Sequence, residues 1–126
     1  MKRRSDRKRA VDYADKWFSL YIRDRDKKCA VCGSSGSLQC GHIFSRIAYS
    51  TRWDERNAFA LCSSDNMAAE YDPWPMLEAA RKKGIKLDVL HLDYVRPRKF
   101  STEEIRSIGD FFKEKVNEQG GGDGKG

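Results

Sequence analysis

Cys29-Ala-Val-Cys32-Gly33, then Cys40-Gly41-His42-Ile43, then Cys62-Ser-Ser-Asp65-Asn66 are the three short stretches on which the reading of this chain turns. Two thiolates two residues apart bite one metal ion, and the glycine after them lets the backbone curl around it. Such a knuckle needs a second pair at a distance, and Cys62-x2-Asp65 has that internal spacing, with a carboxylate where a thiolate would be usual. Zinc accepts oxygen as well as sulfur, so Cys29, Cys32, Cys62 and Asp65 form the favoured ligand set. Cys40, on the intervening segment, is the alternative fourth ligand. A lone redox pair is the competing reading of Cys29 and Cys32, but nothing around them suggests a thioredoxin unit.

Working outward, Ser37–Cys40 reads as a brief strand leading to His42. Ala58–Leu61 reads as a second strand, and Ser64 as the cap of a short helix over 65–71. A loop over 45–56 joins the strands, giving a small ββα unit. Before it, Val11, Ala14, Trp17, Phe18, Tyr21 and Ile22 make the apolar face of a helix over 10–23, with Asp12, Asp15, Lys16 and Arg23 elsewhere around it. After it, Pro75 opens a helix over 76–83 that Gly84 ends, and Ile85, Leu87 and Val89 alternate as a weak strand. Ser101-Thr-Glu-Glu104 is a capping box for a last helix with Ile105, Ile108, Phe111, Phe112 and Val116 on its buried stripe. The fold class expected is α+β: one zinc-stapled domain over 10–119, its core at about 24–72 and a helical part at 73–119. Residues 1–9 read as a basic flexible arm and 120–126 as a Gly-rich tail.

At 126 residues, 35% charged and 39% hydrophobic, the chain has a thin core that a structural metal would help to close. No apolar run approaches the roughly 18 residues of a membrane span. The start, Lys2-Arg3-Arg4 followed by Asp6, lacks the apolar stretch of a secretory signal, so a cytoplasmic protein is expected. The net charge of +6 lies entirely in residues 1–28, where 11 Lys and Arg face 5 Asp and Glu; the rest balances at 14 each. Lys2, Arg3, Arg4, Arg7, Lys8 and Arg9 therefore suit a polyanion, nucleic acid above all, though a solubilising tail would look the same.

His42, Asn57 and Asn66 fall in order at the end of the first strand, the start of the second and the opening of the helix. That order, with the knuckle, is the pattern of HNH (ββα-metal) nucleases; a structural histidine is the alternative for His42. Arg46, Arg52 and Arg56 flank the loop and could fork onto phosphates, or else pair with Asp54 and Glu55. Trp53 reads as a packing anchor in preference to a wedge at a DNA branch.

The wording of the chain resembles one family more closely. Phe18-Ser-Leu-Tyr-Ile-Arg-Asp-Arg-Asp26, the Cys29/Cys32 knuckle, Leu38-Gln-Cys-Gly-His-Ile-Phe-Ser-Arg46 and Thr51-Arg-Trp-Asp-Glu-Arg-Asn57 are similar to the phage NinG (Rap) recombination proteins over about residues 15–70. The resemblance implies an HNH/endonuclease VII-type enzyme cutting branched or recombination-intermediate DNA, such as a Holliday junction, in a bacterial cell hosting a phage or prophage. It implies His42 as general base, Asn57 as the residue that positions it, and Asn66 as ligand to a catalytic Mg²⁺ or Mn²⁺, beside a structural Zn²⁺. Two positions depart from the pattern. Asp65 stands where the family has a second cysteine, and Gly41 stands where HNH proteins at large have an aspartate; Asp54 is a candidate to replace that missing ligand. Recognition by shape would call for a homodimer, which no residue here requires. The readings that compete are a non-catalytic zinc-ribbon nucleic-acid-binding module and a nuclease that cuts by sequence.

Overall fold

The computed structural model describes residues 5–119, so Lys2, Arg3, Arg4 and the 120–126 tail lie outside the described residues. The elements run α1 (Asp6–Asp26), β1 (Leu38–His42), α2 (Tyr49–Arg52), a 3-10 turn (Glu55–Asn57), β2 (Ala58–Cys62), α3 (Ser63–Ala68), α4 (Trp74–Lys82), α5 (Leu87–Val95) and α6 (Thr102–Glu118). The class is α+β, as expected. No helix among the described residues is long and apolar enough to cross a membrane.

Helix α1 begins four residues earlier than its apolar stripe indicates. The Ser5 side chain caps it by accepting from the Lys8 amide at 3.1 Å, Asp6 sits favourably in the first turn, and Lys8 pairs with Asp12 at 3.3 Å. Arg7, Lys8 and Arg9, expected in a flexible arm, are therefore helical. Val11, Ala14, Phe18 and Ile22 are buried along it, with Trp17 and Tyr21 packed at the margin. The chain leaves through Lys27 in the left-handed conformation, whose amide closes onto Arg23 O at 2.9 Å.

Helix α6 packs chiefly on α1. Its capping box is complete, the Glu104 amide donating to Ser101 Oγ at 3.0 Å and the Ser101 amide to Glu104 Oε1 at 2.7 Å. Phe112 meets Phe18 edge-on at 5.0 Å and Tyr21 at 5.2 Å. Such ring pairs add about 0.5–1.5 kcal/mol beyond the area they bury.

Strands β1 and β2 are antiparallel, with Cys40 opposite Ala60, Gly41 opposite Phe59 and His42 opposite Ala58. Alternation sorts the side chains. Cys40 and Ala58 join the cluster of α1, whereas Phe59 and Leu61 join a second cluster with Cys29, Met76 and Ala80. Arg25 and Asp26 fasten the end of α1 to this sheet: Arg25 donates to Glu55 O and Ala58 O, both at 2.9 Å, and Asp26 Oδ2 accepts from the Ala60 amide at 2.8 Å.

The C-terminal helices depart from expectation in one place. Residues 87–95 are helix α5, not a strand. Ile85 lies outside the helix, and its two-residue spacing to Leu87 arises because both reach the second cluster from different elements. Leu90, one turn on from Leu87, is the buried residue of the helix. The 45–56 connection also carries more structure than a loop, namely α2 and the 3-10 turn, and α3 is capped by Cys62 and not by Ser64.

Candidate metal centre and the histidine loop

The backbone after α1 turns tightly to present the first two thiols. The Cys29 amide donates to Ser34 O at 2.7 Å, the Gly33 amide donates to Cys29 O at 2.9 Å, and Gly33 takes φ +79°, a conformation costly to any residue with a Cβ. The Ala30 amide donates to Ala60 O at 2.9 Å and holds the turn against β2. Cys62 ends β2, and Asp65 lies in the first turn of α3, so the ligands come from two stretches of chain thirty residues apart.

The four ligand atoms of Cys29, Cys32, Cys62 and Asp65 lie within 4.8 Å of one another and could hold a metal ion. Cys32 Sγ and Cys62 Sγ are 3.8 Å apart, and Asp65 Oδ2 lies 3.1 Å from Cys29 Sγ and 3.3 Å from Cys62 Sγ. Zinc–sulfur bonds of about 2.3 Å at tetrahedral angles place sulfurs roughly 3.8 Å apart. Three soft thiols, one carboxylate and this spacing fit structural zinc. The protonation pattern points the same way. Thiol donors from Cys29, Cys32 and Cys62 hold the Asp65 carboxyl below its ordinary pKa. Burial opposes the Cys29 thiolate, but the backbone amides of Cys32, Cys62 and Val31 outweigh it and lower its pKa. At Cys32 the Ser34 amide favours the thiolate, yet the nearby Asp65 charge and Cys29 prevail and push the thiol up to about 11. A divalent ion bound by these side chains would displace the remaining thiol protons.

Cys40 takes no part in this cluster. Its thiol packs against the α1 core, and burial pushes its pKa up to about 12, the behaviour of a small apolar side chain. The alternative fourth ligand is thereby removed, and Asp65 stands.

His42 ends β1 on the α1 face, its ring 5.7 Å from that of Phe18. Nε2 lies 2.9 Å from Arg52 O. A carbonyl can only accept, so Nε2 carries the proton and Nδ1 is left as the lone-pair nitrogen. Among the described residues Nδ1 has no hydrogen bond. Burial pushes the His42 pKa down to about 4, against the opposing pull of the Arg52 carbonyl. The ring is neutral at pH 7.

Arg52 O is itself held in place. Arg52 Nε and Nη2 donate to Asp15 Oδ1 and Oδ2 at 3.0 and 2.6 Å, and Nη1 donates to Arg46 O at 2.9 Å. Asp15 Oδ1 also accepts from Trp53 Nε1 at 2.9 Å, and Trp53 is buried, the packing anchor its sequence setting suggests. Asp15 is the residue the sequence reading missed, having been placed among the polar positions around α1. A signal was present: Val11, Asp15, Phe18 and Ile22 follow at intervals of four, three and four, which sets an acid on the buried stripe.

Asn57 is fully buried and serves the backbone. Its Oδ1 accepts from the Phe44 amide at 2.8 Å, and its Nδ2 donates to Phe44 O at 3.1 Å and Thr51 O at 3.0 Å. With all these bonds spent, it shapes the loop that carries Arg52 O and reaches His42 through that loop alone.

Asn66 lies across the sheet from the imidazole. Its Nδ2 donates to Gln39 Oε1 at 2.8 Å, and its Oδ1 lies over Gly41, where a built Cβ would come within 2.9 Å of it and 2.5 Å of Leu61 Cδ1. Gln39 and Gly41 share the α3 face of β1, and His42 takes the other. The structure does not gather His42, Asn57 and Asn66 into one hydrogen-bonded set. Nor do the residues beside Asn66 make a resident site for a hard divalent ion, which takes one or two carboxylates with substrate phosphate. Asp54 is paired with Arg56, which donates at 3.0 and 2.5 Å and lowers its pKa although burial opposes its charge.

The loop arginines differ in availability. Arg52 is largely covered in its Asp15 fork, and Arg56 is bound by Asp54 and by Asp93 at 2.8 Å, so ion pairing describes both. Arg46 is more than half exposed and only loosely paired, 3.8 Å from Asp15 Oδ2. Arg7 donates to Phe100 O at 2.9 Å, and Arg9 bonds Asp6. No family model, no curated protein and no solved structure matches this chain, so the likeness to the NinG family rests on the residues quoted above.

Proposed function

We propose that the protein is a zinc-stapled DNA endonuclease of the HNH kind that hydrolyses phosphodiester bonds, with branched or recombination-intermediate DNA as substrate. The observation that carries this reading is the hydrogen bond from His42 Nε2 to Arg52 O, which leaves Nδ1 of a half-buried, neutral imidazole as the lone-pair nitrogen. His42 ends β1 in a strand–loop–strand–helix unit whose opposite end carries the candidate metal cluster, the order of elements the resemblance implies. Nδ1 of neutral His42 takes a proton from water, and the resulting hydroxide attacks phosphorus in line. Asn57 and Asp15 hold the loop whose carbonyl orients the ring. Arg46 is the loop cation free enough to meet a phosphate oxygen.

A catalytic Mg²⁺ or Mn²⁺ would supply Lewis-acid stabilisation of the leaving oxygen. Asn66 is its candidate donor among the described residues.

The second reading is a zinc-stapled nucleic-acid-binding module without catalysis. It is favoured by the burial of His42 and by the placement of Asn66 on the opposite strand face. Plasmid nicking with Mg²⁺ or Mn²⁺, and with EDTA, compares wild type with His42→Ala. Loss of nicking by about 10²–10⁴-fold with DNA binding retained is expected of the nuclease. Equal nicking by both proteins, or none by either, leaves the binding module. Forked, four-way and linear substrates then separate recognition of shape from recognition of sequence, and sedimentation with and without a junction tests the homodimer.

A further inference from the structure

Arg96-Pro-Arg98-Lys99 leads out of α5, and it belongs to no part of the site described so far. Arg96 and Arg98 line an open cleft of about 320 Å³ with Ser50, Asp54, Arg56 and Asp93. Every lining residue is polar or charged, which suits no apolar ligand. The charges do not cancel. Both carboxylates pair with Arg56, Asp54 at 2.5 Å and Asp93 at 2.8 Å, so that trio carries one net negative charge against the two positive charges of Arg96 and Arg98. Arg96 and Arg98 have no acidic partner within 4 Å among the described residues. Arg98 is not loose, because its guanidinium lies over the Phe100 ring at 4.5 Å. The cleft is therefore concave, net cationic, and partly preorganised.

We propose that this cleft is a phosphodiester-binding site that grips nucleic-acid backbone through Arg96 and Arg98. Two separate guanidinium forks match an anion with several acceptor oxygens, and guanidinium binds phosphate in that geometry. Ser50 and Asp54 stand either side of Arg52 in sequence, so the cleft and the carbonyl that orients His42 share one loop. Ser50 Oγ donates to Tyr94 O at 3.1 Å and ties that loop to α5, which keeps the cleft walls together. This inference uses the nuclease reading only to choose nucleic acid over free phosphate as the ligand.

The test is fluorescence anisotropy of a labelled duplex and a labelled four-way junction between 50 and 200 mM salt. It compares wild type, Arg96→Ala/Arg98→Ala, and Lys82→Ala/Lys86→Ala as a control of equal charge loss elsewhere. The Arg double variant is expected to bind about tenfold more weakly or worse at low salt. Its slope of log affinity against log salt should shrink by about 2, one contact's worth for each arginine, with the control near wild type. Equal slopes in all three proteins, or an equal drop in both variants, overturn the proposal. So does binding of inorganic phosphate, followed by calorimetry and abolished in the Arg variant, without any effect on DNA affinity. Thermal unfolding verifies that both variants fold, as changes at exposed side chains should allow. Plasmid nicking run alongside keeps the two ideas apart. A slope change without nicking by wild type sustains the cleft and sinks the nuclease; intact nicking with unchanged slopes does the reverse.

Discussion

His42 makes a prediction that does not depend on what the protein does. Its pKa is about 4 in the folded chain, against 6.5 for an ordinary histidine. The unfolded chain thus binds more protons between those values, and folding stability must fall as pH drops through that window. The stability is undiminished above pH 6.5, and the loss amounts to on the order of 3 kcal/mol by pH 4. Urea midpoints across pH 4–7 should show that decline, and His42→Gln should flatten it. Gly41 makes another. The wider nuclease pattern has an aspartate there, but Leu61 and the Asn66 carboxamide already fill the space a side chain would need. Gly41→Ala should cost about 1–3 kcal/mol by overpacking, read as a lower melting temperature. The metal cysteines could be read from the sequence at this scale, since spacing alone narrows a chelate. The spacing of Cys62 and Asp65 favoured Asp65 as the fourth ligand, and the direction in which β1 turns Cys40, into the α1 core, leaves Asp65 and not Cys40 in the cluster. Zinc content measured by mass spectrometry should fall in Asp65→Ala and stay unchanged in Cys40→Ala.

At the scale of elements, the clamp between α1 and the 43–57 connection decides how rigid the histidine loop is. Asp15 accepts from Arg52 and Trp53, both largely buried, and removing it strands a guanidinium with no counter-charge. Asp15→Ala should therefore destabilise the fold by about 3 kcal/mol. In the surviving folded protein, ¹⁵N shifts of His42 should report a mixture of tautomers in place of Nε2–H alone. A stable variant with an unchanged imidazole spectrum would count against the clamp. Helices α1 and α6 were legible because each carries a long stripe at helical spacing and a serine cap, though the α1 stripe did not reveal the turn that precedes it. Helix α5 was not, because nine residues with a single buried position give periodicity little to register. The clamp itself was hidden for another reason. An acid on a buried stripe is visible in sequence, but the arginine and indole that justify it come from a loop more than thirty residues away.

For the molecule as a whole, the division of labour follows from two cores. The α1–α6 cluster has long apolar stripes and the Phe18–Phe112 contact, whereas the cluster around Phe59 and Leu61 is completed by Cys29, itself a candidate metal ligand. Metal removal by a strong chelator should unfold the second region and lower the melting temperature of the chain, with readdition of Zn²⁺ restoring it. Structural zinc is worth on the order of 10 kcal/mol in small domains, far more than the rest of this core is able to replace. An unchanged melting curve after verified removal of the ion would mean that the four side chains meet for some other reason.

Helix α3 is six residues long and buries none of them. A helix so short does not persist in water by itself. It is kept in being by Cys62 and Asp65 at one end and by the single amide contact of Asn66 to Gln39. Asp65 and Asn66 are consecutive, so scarcity of zinc in the cell and disarray of the carboxamide over Gly41 would be one event. Supply of the ion would then act as a licence for whatever chemistry that face of the strand performs.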